Sequence, residues 1–235
     1  MSEQNKAEEP AMSDPTLEIL EQKLCSLSLH GDKSLRDISL LTSLAAENET
    51  EECKRKLRNV MQKGLERFVN QLVKSDCTEN DMAANLMFVR ISVPYCSVEF
   101  LHSCANAVSD SGLPLTVKLN FHAQIMRSLQ SNDLLHSTAL VKHTLTLIIA
   151  NLGAVLNQED ATLSKLCGQL LRRLWGLVDE DILSDFCTAM TVSFDDYPAT
   201  RYITMCILVD SYIETGLFLN QLWRYLIQVS SYMYI

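Results

Sequence analysis

Apolar residues recur at intervals of three and four along most of the chain, a spacing that predicts α-helices each with one buried stripe. The pattern is strongest over residues 132–178, which read as two long amphipathic helices joined by a short turn. Ser131, Asn132 and Asp133 offer capping oxygens to the first of these, and Leu134, Leu135, Leu145, Ile148, Ile149 and Leu152 follow before Gly153 breaks the run. The second opens at Asn157 and Asp160. It carries Leu163, Leu166, Leu170, Leu171, Leu174 and Leu177, a stripe wide enough to pack on two neighbours, with Leu166, Leu170 and Leu174 expected at the centre of the core.

The same grammar extends to both sides. Residues 1–13 are polar, acidic and without periodicity, so a disordered tail is expected there, followed by one helical-repeat domain over 14–235. Asp14 and Pro15 start a helix with Leu17, Leu20, Leu24 and Leu27 inward, stopped by Gly31. A second helix from Asp32 or Ser34 places Leu35, Ile38, Leu41 and Leu44 inward, and residues 48–50 turn the chain. A longer helix over 51–74 buries Cys53, Leu57, Met61, Leu65, Phe68 and Leu72. The next carries Met82, Leu86, Val89 and Ile91 and must end near Val93, because Pro94 disfavours helical geometry before it. Ser97 restarts the chain with Phe100, Leu101, Cys104 and Val108 buried. Pro114 opens a further helix with Leu115, Leu119, Ile125, Met126 and Leu129 inward.

Helix starts near 15, 50, 97, 132, 179 and 217 are spaced like helical hairpins, and the interval resembles that of HEAT and armadillo repeats, although no repeat family's signature is legible. The expected fold is therefore all-α, a solenoid of stacked hairpins, with an irregular helical bundle as the alternative. The last helix, 217–235, has almost no polar face. Repeat arrays normally end in a unit with a hydrophilic outer side, so a missing C-terminal cap is expected, with Trp223, Tyr225 and Tyr232 as a terminal interface for self-association or docking.

Composition narrows the chemistry more than it names a function. Hydrophobic residues make up 47% of the chain while glycine (7) and proline (5) are scarce, as helices rather than turn-rich β structure require. The eight cysteines contain no C-x-x-C pair and read as reduced core residues. The amino-terminal residues have no apolar run, which excludes a secretory signal there and points to the cytoplasm or nucleus. The window 139–156 is apolar but holds Lys142, His143 and Asn151, so a buried helix is expected rather than a membrane span.

No catalytic, cofactor or metal constellation is legible. His136 and His143 share a helix face, yet two turns separate them by about 10.5 Å of rise, too far for one ion. Acidic pairs such as Glu159 with Asp160 and Asp195 with Asp196 fall at helix starts, where they cap.

The sequence does show one charge asymmetry. Residues 50–74 hold seven basic and three acidic side chains, a local charge of +4, while the remainder holds thirteen basic and twenty-six acidic, −13. At 100° per residue Lys56, Lys63, Arg67 and Lys74 fall in one stripe opposite the apolar face, a candidate site for an anionic partner. The expectation is a non-enzymatic protein-binding scaffold. The alternative is an RNA-associated helical-repeat domain of a translation or RNA-processing factor, using the stripe on phosphates.

Overall fold

The computed structural model describes residues 15–27, 33–48, 50–74, 79–129 and 137–151, together with Leu166, Cys167, Gln169, Leu170, Arg173 and Leu174. Every regular element among them is helical. In order they are α1 (Pro15–Cys25), α2 (Lys33–Ala46), α3 (Glu51–Lys74), α4 (Glu79–Ser92), a 3-10 turn (Val93–Tyr95), α5 (Val98–Ser109), α6 (Leu115–Ser128) and α7 (Thr138–Ala150). The described residues between 166 and 174 are helical as well. No described helix is long and apolar enough to cross a membrane.

Local chemistry sets the boundaries. Thr50 caps α3, its hydroxyl accepting from the Cys53 N–H at 3.3 Å. Glu51 and Glu52 in the first turn of α3 and Lys74 in its last turn complement the helix dipole. Pro94 cannot continue α4, and the chain tightens into the 3-10 turn, where the Cys96 N–H donates to the Val93 carbonyl. Ser97 then caps α5 by accepting from the Phe100 N–H at 3.3 Å. Pro114 occupies the N-cap of α6, and the N–H of Lys118 returns to its carbonyl.

The helices pack in a regular alternation. Consecutive helices pack as α1 with α2, α2 with α3, α3 with α4, α5 with α6 and α6 with α7. Odd helices also stack on odd ones, α1 on α3, α3 on α5 and α5 on α7, while α2 stacks on α4 and α4 on α6. The segment around 166–174 joins the end of α6. Arg173 donates from Nε to the Met126 carbonyl at 2.6 Å and from a terminal nitrogen to the Leu129 carbonyl at 3.1 Å, satisfying acceptors that a helix end leaves open.

Between these layers lies one apolar core. Leu20, Met61, Leu65, Phe88, Phe121 and Leu174 are fully buried in it, and burying a side chain of this size contributes roughly 1.5 to 3 kcal/mol. Phe68 and Phe88 meet edge to face at 5.6 Å. Gly64 sits within α3 where α1 and α4 close in. A Cβ there would stand 3.1 Å from Leu24 Cδ1 and 3.3 Å from Phe88 Cζ, so the bare backbone is what permits the approach.

Several expected positions stand differently. Leu44 is 47% exposed, and Thr42 and Ala45 take the inward places on α2. Thr42 enters the core because its hydroxyl donates to the Ile38 carbonyl at 2.7 Å. Cys53 and Leu115 are only partly covered. The helix that carries Leu145 and Ile148 begins at Thr138, after a buried and non-helical Ser137 whose carbonyl accepts the N–H of Val141, while the expected start at Asn132 lies outside the described residues. Leu166, Leu170 and Leu174 are buried as expected. The tail over 1–13, the side chains of Met82 and Ile149, and the helices expected beyond residue 174 lie outside the described residues.

Candidate functional site

The basic stripe belongs to α3, whose opposite side is pinned in the core by Leu57, Met61, Leu65, Phe68 and Leu72. Its four residues separate into two groups. Lys56 is engaged, with Nζ 2.8 Å from a Glu52 carboxylate oxygen one turn back. The hydrogen bond and the charge of Lys56 lower the Glu52 pKa, and the hydrogen bond to Glu52 raises that of Lys56. Lys54 is likewise 3.1 Å from Glu51.

The carboxyl-terminal half of the helix is arranged otherwise. Lys63, Arg67 and Lys74, with Glu66, Asn70 and Gln71, line a shallow open concavity of about 620 Å³. Among the described residues no ion pair engages Lys63, Arg67 or Lys74. The concavity thus presents three cations against one carboxylate, with two side-chain amides between them and no apolar or aromatic side chain among the described lining residues. Such a surface recognises anions through charge-assisted hydrogen bonds. The neighbouring helix α1 presents Glu18 and Glu21 at a concavity of its own, so the local charge changes sign from one odd helix to the next.

Arg58, also on α3, contributes to a different concavity of about 420 Å³ with Tyr95, Cys96 and Ser97 near the 3-10 turn. Burial and the nearby Cys104 push the Cys96 thiol up to about 12. Burial does the same to Cys104 and Cys167, each to about 12. These thiols stay protonated near neutrality and are poor nucleophiles. Cys25, Cys53, Cys96, Cys104 and Cys167 are all free.

A polar cluster that the sequence reading did not assemble joins α5, α6 and α7. His122 and His143 stack with ring centroids 5.4 Å apart, and His102 meets His143 edge to face at 5.8 Å. Ser109 Oγ lies 2.9 Å from Nε2 of both His122 and His143. On the other side, His122 Nδ1 is 2.8 Å from Thr144 Oγ1, and that hydroxyl donates to the Leu140 carbonyl at 2.9 Å. A hydroxyl has one proton, so Thr144 accepts from His122 Nδ1–H. His122 Nε2 is then the bare acceptor for the Ser109 hydroxyl, and His143 Nε2–H donates to Ser109.

His122 is fully buried, and its pKa is pushed down to about 3 by burial and then by His143, with a backbone hydrogen bond at Ala105 opposing the shift. Burial followed by the charge of His102 lowers that of His143, against the pull of Asp110. A base held so low takes a proton from serine with little driving force, so the network reads as a packing element that fixes three helices against one another. Among the described residues no group of histidine, cysteine and carboxylate side chains is placed to hold a metal ion. His136, Trp223, Tyr225 and Tyr232 lie outside the described residues.

Comparison with known proteins adds no relative, since no family model, curated protein or solved structure matches the chain.

Proposed function

We propose that this chain is a non-enzymatic scaffold that holds a protein partner, built as an α-solenoid of HEAT or armadillo type and acting in the cytoplasm or nucleus. The observation that carries the reading is the stacking of odd helices on odd and even on even, beside the contacts between consecutive helices. Stacking of this kind leaves one side of every hairpin in a continuous outer surface, which is how repeat arrays create room for a partner. On this reading the α3 cations that no ion pair engages among the described residues would lie on such a surface. The segment holding Trp223, Tyr225 and Tyr232 is the second proposed contact, for docking or self-association.

Capture from cell extract on the immobilised intact chain, with mass-spectrometric identification, tests the reading. Specific protein partners retained at moderate salt support it, and retention of none overturns it. The net +4 over residues 50–74 favours one other reading, an RNA-associated domain. Phosphate contacts weaken steeply with salt, so retention of nucleic acid with a steep salt slope would replace the scaffold by that alternative.

A further inference from the structure

The geometry points to an acidic peptide, bound in extended form, as the occupant of the α3 concavity. This rests on the scaffold reading and gives the partner a chemistry.

The cations come first. Lys63, Arg67 and Lys74 lie along one line of the helix, with successive rises of about 6 and 10.5 Å. Of the positive charges nearer the helix start, Lys54 and Lys56 are already paired with Glu51 and Glu52. Those at the concavity have no such partner among the described residues, so an incoming carboxylate displaces no ion pair there.

The amides then select the conformation. Asn70 lies between Arg67 and Lys74 on the same line, with Gln71 beside it, and each offers both a donor and an acceptor. A helical ligand has already satisfied its own N–H and C=O groups, and among the described lining residues there is no apolar side chain to receive its apolar face. An extended segment brings unpaired backbone groups that the two amides can bond. Its alternate side chains stand about 6.6 Å apart, close to the rise from Lys63 to Arg67, and the flexible Lys74 stem reaches a third carboxylate further along. A single-stranded nucleic acid has comparable charge, but it gains much of its affinity by stacking bases on aromatic rings, and the described lining offers none.

The test is fluorescence anisotropy on the full chain with a short fluorescein-labelled peptide carrying glutamates at three alternate positions in a glycine and serine background. The expected result is saturable binding that weakens about tenfold or more in Arg67→Glu and in Lys63→Glu, whose thermal melts match the unaltered protein. A peptide with glutamine at those positions should not bind. Amide resonances of α3 should shift on adding the glutamate peptide to the unaltered protein, which gives the same answer without a variant. Unmoved resonances, or equal affinity for the two peptides, overturn the inference. Tighter binding of an oligouridine at the same residues overturns it in favour of RNA. If the peptide fails while extract proteins are still retained equally by the unaltered chain and Arg67→Glu, the concavity is not the docking site and the scaffold reading stands. If extract proteins are not retained either, both fall.

Discussion

Acidification should unlock the junction of α5, α6 and α7 through His122. The unfolded chain protonates a histidine near 6.5, whereas the folded chain holds His122 at about 3, because the ring is fully buried and faces His143 and His102. Its neighbours on the adjoining helices are these two rings, Ser109 and Thr144, with Asp110 acting on His143 and the Lys118 ammonium donating to the Ser109 carbonyl. The folded pKa is depressed, so the unfolded state takes the proton first. Stability is therefore complete above about pH 6.5 and falls as the pH is lowered, until both states are protonated below about 3. The slope between those limits is about 1.4 kcal/mol per pH unit, which amounts to about 2 kcal/mol between pH 7 and pH 5. Urea unfolding followed by far-ultraviolet circular dichroism reads it. With an m-value of about 2 to 3 kcal/mol/M, the midpoint should drop by about 0.7 to 1 M over that interval. His122→Gln keeps an amide for the hydroxyls but cannot titrate. It should be less stable at pH 7.5 by about 1 to 3 kcal/mol and should lose most of the pH slope. If the two proteins lose stability in parallel between pH 7 and pH 5, the buried histidine is not the titrating group and the reasoning fails.

Further expectations concern the core and its edges. Leu170→Ala should cost about 2 to 5 kcal/mol through lost burial and a residual cavity, whereas Lys63→Ala and Arg67→Ala should stay within about 0.5 kcal/mol of the parent in chemical denaturation. Gly64→Leu should destabilise by about 1 to 3 kcal/mol, because Leu24 and Phe88 already fill the space, and an unchanged melt would contradict that packing. Arg173→Met should cost about 1 to 2 kcal/mol by leaving the Met126 and Leu129 carbonyls without their donor, which a thermal melt would register. Circular dichroism of the whole chain should exceed about 45% helix, against the third or so typical of globular proteins.

Helices were the legible part of this sequence, since α3 needs nothing beyond its apolar spacing, the capping Thr50 and acidic residues at its start. Its expected limits, 51 and 74, are those found. Faces were harder where leucine is abundant. Leu40, Leu41 and Leu44 on α2 compete for one narrow inward stripe, and Thr42 displaces Leu44 because a threonine that bonds its own helix is cheap to bury. The expected helix runs unbroken through Ser137, but Ser137 is non-helical and α7 starts at Thr138; Asn132 and Asp133, the expected caps, lie outside the described residues. The histidine cluster was invisible to local pattern reading, as its three rings come from three helices. The one trace in the sequence is the near-equal spacing of His102, His122 and His143, about the distance from one helix to its neighbour. The candidate stripe was legible in charge and angle. Which of its cations were already neutralised was not, because that depends on the rotamers of Glu51 and Glu52.

The alternation of helix contacts has a mechanical consequence. Substantial contacts among the described helices run only between neighbours and next neighbours, so α1 senses α7 only through the helices between them. In a repeat array stacked this way cohesion is local, and native-state opening starts at the weaker end. A ligand clamped on α3 would then slow amide hydrogen exchange most in α1, α2, α4 and α5, with the protection fading toward α7.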